Sequence, residues 1–343
     1  MKALYVICDG MADRPVRELG MRTPLQVAET PNMDRLAREG VTGIADPVAP
    51  GIPPGSDTAN MALLGYDPYE HYTGRGGLEA LGIGLELGPR DVAFRCNFAT
   101  VDEGGVVLDR RAGRISTEHA RTLAEAIRGA LEEAGAELGV EAEFVPTVQH
   151  RAVLVLRGEG LSRAVSDTDP KENGKPMREC VPLVRGVCKA AGMEVLDVPG
   201  ATGSYDTDLH AKFSHAVRAL EGGADLALVH VKATDVASHD HKAGMKVKMI
   251  ERIDEALGEA LSELDLSEEA YVLLTADHTT SLRTGKHEGD PVPVVLAGPE
   301  VRPDGVGAYD ELSCAGGGLC RLRGKDLMPV LMNLLGKVER FGF

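Results

Sequence analysis

Short apolar runs alternate along this chain with longer segments in which apolar residues recur at helical spacing. The stretch Lys2–Cys8 is short, largely apolar and β-prone, and predicts a buried strand. Thr30 is placed to cap a helix over 31–40, with Pro31 at its first position and Gly40 as its stop. A second strand is predicted over 41–48, and the Gly/Pro-rich turn 50–55 delivers Ser56 to the start of a helix over 57–64. The texture then changes. Gly74, Gly76, Gly77, Gly82, Gly84 and Gly88 crowd together, and runs 94–100 and 106–109 flank Asp102-Glu103-Gly104-Gly105 as a hairpin would. An amphipathic helix over 117–134 and a strand over 152–156 follow, and the polar segment 166–175 has linker chemistry. Alternation returns with helix 181–191, strand 194–198, helix 209–220, strand 225–231, helix 246–264, strands Ala270–Thr275 and 292–296, and helix 325–335. The pattern implies an α/β core with a mostly parallel sheet covered on both faces, formed by 1–75 and 176–343, and an inserted α+β domain over 76–175. Ligands of such sheets gather at the carboxyl ends of strands, and Asp9, Asp235 and the pair Asp277-His278 all lie just past such ends.

Charge narrows the partners. A formal net charge of -16 over 343 residues repels nucleic acid and anionic lipid, so neither is expected as a main partner. An anionic small-molecule substrate would need local metals and arginines to hold it. The six cysteines, Cys8, Cys96, Cys180, Cys188, Cys314 and Cys320, form no C-x-x-C pair and match no zinc ribbon, which points to reduced thiols. Cys314 and Cys320 flank a Gly-rich turn, but nothing supports a bridge there. The opening shows no basic segment followed by a longer apolar one, and no apolar run approaches the ~20 residues that span a bilayer. A cytoplasmic protein is expected; the oligomeric state, a homo-oligomer included, is left open by the sequence.

Candidate chemistry is concentrated in a few stretches. Gly10 lets the chain turn sharply after Asp9, although a strand-ending Asp also serves as a turn former. Asp235 and His239 share a helix face at i and i+4, which suits one metal ion and equally an ordinary ion pair. Asp240 and His241 crowd the same place. Asp277 and His278 follow an apolar run, with His287 shortly before the next strand. Ser56 at a helix start would meet the unpaired N–H groups that favour an alkoxide and bind phosphate; an N-cap serine fits the same position. Three carboxylates, three imidazoles and one hydroxyl suit a two-metal phosphoryl-transfer site with serine as nucleophile. The P-loop-like stretch 318–325 has the wrong spacing and Asp326 in place of Ser/Thr, and Gly82-Ile83-Gly84 lacks a third glycine, so neither indicates nucleotide binding.

Cys8-Asp9-Gly10-Met11, the run 51–65 (GIPPGSDTANMALLG), 72–81 (YTGRGGLEAL), Asp235 to His239, Thr275 to His278 and 287–293 (HEGDPVP) are similar to the archaeal-type, 2,3-bisphosphoglycerate-independent phosphoglycerate mutases of the alkaline phosphatase superfamily. The resemblance covers nearly the whole chain. It implies an alkaline-phosphatase-like three-layer α/β/α core with a smaller inserted α+β domain serving as a lid. It also implies an isomerase of glycolysis and gluconeogenesis that interconverts 3- and 2-phosphoglycerate through phosphoserine, without 2,3-bisphosphoglycerate. By the same resemblance Ser56 is the phosphorylated serine. Asp9, Ser56, Asp277 and His278 hold one divalent ion; Asp235, His239 and His287 hold the other. Mn, Mg, Co and Zn all suit such mixed oxygen and nitrogen ligands, so the sequence leaves the metal open. Lys212 matches a phosphate-contacting lysine of that family. Arg75, Arg95, Arg114 and Arg151 are candidates for holding the glycerate carboxylate, and His150 for carrying a proton. Thr279 stands where a glycine often follows the Asp-His pair, and His241 where a small residue is usual. A related phosphohydrolase or phosphopentomutase-like enzyme, or a metal-binding relative without turnover, are the alternatives.

Overall fold

In the computed structural model of the protein, which describes residues 1–103, 106–161 and 183–342, every residue of the strand Lys2–Cys8 after Lys2 is buried. Successive side chains of a strand point to opposite faces, so the sheet around it is covered on both. The strands Ala270–Thr275 and Val292–Ala297 are likewise buried throughout, which makes this a three-layer arrangement.

The chain divides into two compact units, Met1–Tyr72 with Leu196–Phe343, and Thr73–Val195. The sheet of the first unit has six strands in the order Cys320–Arg323, Val41–Asp46, Val292–Ala297, Ala270–Thr275, Lys2–Cys8 and Leu226–Val231. Lys2–Cys8 runs parallel to both neighbours, and Cys320–Arg323 runs parallel to Val41–Asp46. Val292–Ala297 is antiparallel to both of its neighbours. A parallel return needs a crossover of a dozen or more residues, usually a helix. Between Ala270–Thr275 and Val292–Ala297 there is only the small hairpin of Thr279–Ser281 with Lys286–Glu288, so the chain comes straight back. Helix Leu209–Glu221 packs on Lys2–Cys8 and Leu226–Val231, and Ala243–Glu263 packs against it. The second helix buries Met249, Ile250, Ile253 and Leu257 at helical spacing.

Several sequence expectations are corrected. Helix Pro31–Glu39 is not capped by the Thr30 side chain. Asp254 does that work from across the unit, accepting from Asn32 N at 3.1 Å and Met33 N at 2.8 Å. The strand expected over 194–198 is absent, because this segment carries the chain from one unit (ending at Val195) to the other (starting at Leu196) and pairs with no strand among the described residues. The strand Cys320–Arg323 is not expected from the sequence, because its two arginines give it the look of a polar loop.

The second unit has a three-stranded sheet, ordered Val92–Asn97, Arg151–Gly158, Val140–Pro146, all antiparallel. Val92–Asn97 therefore pairs with Arg151–Gly158, not with the run after Gly105 as the sequence suggested. The hairpin is reduced to Thr100–Val101 with Val107–Asp109. Helix Thr117–Leu138 runs on to Gly139, whose φ of 70° supplies the left-handed stop. Helix Leu183–Ala190 lies so close to Arg75–Gly82 that a Cβ on Gly186 would fall 1.8 Å from the Leu78 carbonyl oxygen. That packing keeps the helix in the second unit, which continues to Val195. The expected boundary at 175/176, the linker 166–175 and Cys180 lie outside the described residues. The other five cysteines are free, Cys314 and Cys320 included.

Candidate metal centre

Ser56 is the first residue of helix Ser56–Leu63, and Gly55 holds the cap position. The cap explanation for Ser56 is thereby removed. Its Oγ lies 3.2 Å from Nε2 of His278. One turn on, Asn60 Nδ2 donates to Ser56 O (2.8 Å) and to Asp277 Oδ2 (2.9 Å), tying this helix to the end of Ala270–Thr275. Asp9 follows Lys2–Cys8, and Gly10, at a φ of 63°, donates its N–H to Asp277 Oδ1 at 3.1 Å.

The helix Ala233–His239 places Asp235 and His239 on one face as expected, with His239 Nε2 3.2 Å from Asp235 Oδ1. His287 Nε2 lies 3.5 Å from the same oxygen, and His278 Nε2 lies 3.3 Å from Asp9 Oδ1 and 3.6 Å from Asp277 Oδ2. The rings of His278 and His287 stack at 3.6 Å. The three imidazoles are anchored by their other nitrogen: Nδ1 of His239 donates to Gly285 O, Nδ1 of His287 donates to Pro54 O, and Nδ1 of His278 meets Thr280 Oγ1. Anchoring Nδ1 in this way leaves the Nε2 lone pair for a ligand. The sequence left Asp240 and His241 open. Asp240 accepts from Tyr205 and Lys242, and His241 turns its Nδ1 to Leu282 O.

Two residues at this end of the sheet are not singled out by the sequence. Lys232 Nζ reaches Asp9 Oδ2 at 3.0 Å and Asp235 Oδ2 at 2.8 Å, and His230 Nε2 lies 3.5 Å from Asp9 Oδ2. The available signal was their place at the exit of Leu226–Val231, just before Asp235. Lys212 donates to the His230 carbonyl at 2.8 Å, and burial pulls its pKa down.

The electrostatics are those of a site short of positive charge. Burial and then Asp277 push the pKa of Asp9 up to about 7. Burial works against Asp235 too, but Lys232, His239 and His287 outweigh it and hold that carboxylate well below its usual range. Burial drives His278 down to about 3, so its ring is neutral. Asp9 Oδ1 is buried and accepts no hydrogen bond among the described residues. Ligand atoms of Asp235, His239 and His287 lie within 4.8 Å of one another, as do those of Asp9, Asp235 and His278, and those of Asp9, His230 and Asp277. Mixed carboxylate and imidazole donors of this kind fit two divalent ions of the Mg, Mn, Co or Zn type.

The second unit gathers cations. His150 is buried and its Nδ1 has no hydrogen-bond partner among the described residues. Burial, then Arg151, Arg111, Arg95 and Arg110, bring its pKa down to about 4. Arg95, Arg151 and His150 were expected here; Arg110 and Arg111 were not. Arg95 lies 3.4 Å from Glu79, Arg75 opens helix Arg75–Gly82, and Arg114 is exposed. An unfolded chain protonates His150 near 6.5 and the folded one near 4, so stability falls as pH drops through that window. His150→Asn is expected to flatten this part of the profile. Urea midpoints at pH 7 and pH 5 read it, and an equal loss in both proteins counts against the burial of a neutral ring.

The sequence model described as 2,3-bisphosphoglycerate-independent phosphoglycerate mutase matches residues 37–197. The chain is 39% identical to 2,3-bisphosphoglycerate-independent phosphoglycerate mutase 1 of Methanothermobacter thermautotrophicus, over 100% of both chains. It is 43% identical to the Methanopyrus kandleri enzyme of that name, covering 99% of this chain and 98% of the relative. Among solved structures, a protein from Pyrococcus horikoshii superposes with a TM-score of 0.85 at 34% identity, covering 100% of this chain and 99% of the other. The cofactor-independent phosphoglycerate mutase of Thermoplasma acidophilum gives 0.70 at 31%, covering 98% and 100%.

Proposed function

Since the chain belongs to the family of 2,3-bisphosphoglycerate-independent phosphoglycerate mutases, we propose that it interconverts 3- and 2-phosphoglycerate, a step of glycolysis and gluconeogenesis, through a phosphoserine at Ser56. The observation that carries the site assignment is the shared orientation of three imidazoles, each anchored at Nδ1, with Nε2 aimed at the buried carboxylates and, for His278, at Ser56 Oγ. Asp9, Ser56, Asp277 and His278 are assigned to one divalent ion, and Asp235, His239 and His287 to the other. When bound, the ions supply charge that lowers the Ser56 pKa and offsets charge on the transferring group.

Ser56 then attacks the phosphorus, the bond from phosphorus to the glycerate oxygen breaks, and the phosphoryl group rests on Ser56 at a helix start, where unpaired N–H groups favour it. The freed glycerate must return its other hydroxyl to the phosphoserine before water does. We assign the hold on its carboxylate to the second unit, 73–195, through Arg95 and Arg151, with Arg75 and Arg114 as further candidates and His150 as the proton carrier. Lys212 is assigned to the phosphate. A cytoplasmic location is part of this proposal; among the described residues no helix is long and apolar enough to cross a membrane.

Protein loaded with Mn²⁺ and given 3-phosphoglycerate is expected to form 2-phosphoglycerate and to carry phosphate on Ser56 by mass spectrometry. Free phosphate without 2-phosphoglycerate would identify a phosphohydrolase instead.

A further inference from the structure

The hydroxyl of Thr280 touches one side chain from each proposed ligand set. Its Oγ1 lies 2.7 Å from Asp235 Oδ1 and 3.0 Å from His278 Nδ1. Thr280 is fully buried. An ionised carboxylate only accepts hydrogen bonds, so the single hydroxyl proton goes to Asp235. The oxygen is then left as an acceptor, and His278 Nδ1 must be the donor. This arrangement selects the tautomer that presents Nε2 to Ser56 Oγ and Asp9.

The surroundings are built to keep the hydroxyl there. Lys246 Nζ grips the Thr280 carbonyl at 2.9 Å and the Ala12 carbonyl at 3.1 Å. A Cβ on Gly10 would lie 2.4 Å from Thr280 Oγ1, so a side chain at position 10 would expel the hydroxyl. Neither Asp235 nor His278 can turn without breaking a bond to this one oxygen.

We propose that Thr280 is a positioning residue that orients ligands of both ions at once, through the chain His278 Nδ1–H to Thr280 Oγ1–H to Asp235 Oδ1. The inference rests on the assignment of Asp235 and His278 to different ions.

Mn²⁺ titration of the metal-free protein by calorimetry tests it. Partners that orient metal ligands are worth about 10–100-fold in affinity when removed. Thr280→Val keeps the shape and deletes the hydroxyl, and it is expected to weaken both binding steps by that factor although Thr280 ligates neither ion. Thr280→Ser is expected to restore both. Should the valine variant fail to fold, Thr280→Ala carries the same expectation. Wild-type affinity at both steps in the hydroxyl-free variant, weakening of one step alone, or a serine variant no better than valine overturns the proposal. Asp235→Ala separates it from its premise. Loss of one Mn²⁺ in that variant supports the ligand assignment whatever Thr280 does, and retention of both ions overturns the assignment itself.

Discussion

Ser56→Ala is expected to abolish phosphoryl transfer while leaving the fold intact. Removing a nucleophile that acts as part of a unit lowers turnover by at least about 10⁴-fold. The structural cost is small for a specific reason. Gly55, not Ser56, sits at the cap of helix Ser56–Leu63, so no cap bond is lost, and alanine suits a helical position. Asp9, Asp277 and His278, the other residues assigned to this ion, are untouched, and Asn60 still clips the helix to Asp277. The expected result is therefore inactive, folded protein that takes up Mn²⁺ and shows no phosphoserine. Mutase turnover and intact mass after incubation with 3-phosphoglycerate measure it. Retained turnover would falsify the assignment of the nucleophile.

The second large effect is on stability. Asp13 and Lys246 form an ion pair at 3.0 Å with both side chains completely buried. The carboxylate also accepts from Leu282 N, while the ammonium holds the Ala12 and Thr280 carbonyls. Burial lowers the Lys246 pKa against the pull of Asp13 and the smaller pulls of Glu311 and Asp235. Asp13→Ala removes the countercharge in contact with that buried ammonium and is expected to cost about 3–5 kcal/mol. Adding Lys246→Met removes the stranded charge, so the double variant is expected to be more stable than Asp13→Ala alone. Urea unfolding of the metal-free proteins reads both, as midpoint shifts at constant slope. A double variant less stable than the single one would overturn the stranded-charge account. These residues brace the segments after Asp9 and His278, so weaker Mn²⁺ binding should accompany the loss.

The candidate ligands were legible because each stands where local structure gives it a reason. Asp9 and Asp277 end apolar strands, and Asp235 with His239 occupies one helix face. The partners of these residues were not legible. Lys232 meets Asp9 from 223 positions away, Asn60 meets Asp277 from 217, and Thr280 meets Asp235 from 45. Contacts across such separations leave no periodic trace. The fold divides in the same way. Lys2–Cys8 and Ala270–Thr275 announced themselves as continuous apolar runs. The helix cap from Asp254 and the pairing of Val92–Asn97 with Arg151–Gly158 depended on distant partners.

From sequence alone came the alternation of strands and helices, the candidate ligand types, and their position at strand ends, since these follow from side-chain period and turn chemistry within a few residues. Tertiary structure alone decided that Val292–Ala297 runs antiparallel, which nitrogen of each imidazole faces the carboxylates, and that Ser56 Oγ meets His278 rather than its own helix. The physical reason is that a hydrogen bond is specified by the positions of two atoms, and folding brings those atoms together from segments whose local preferences say nothing about each other.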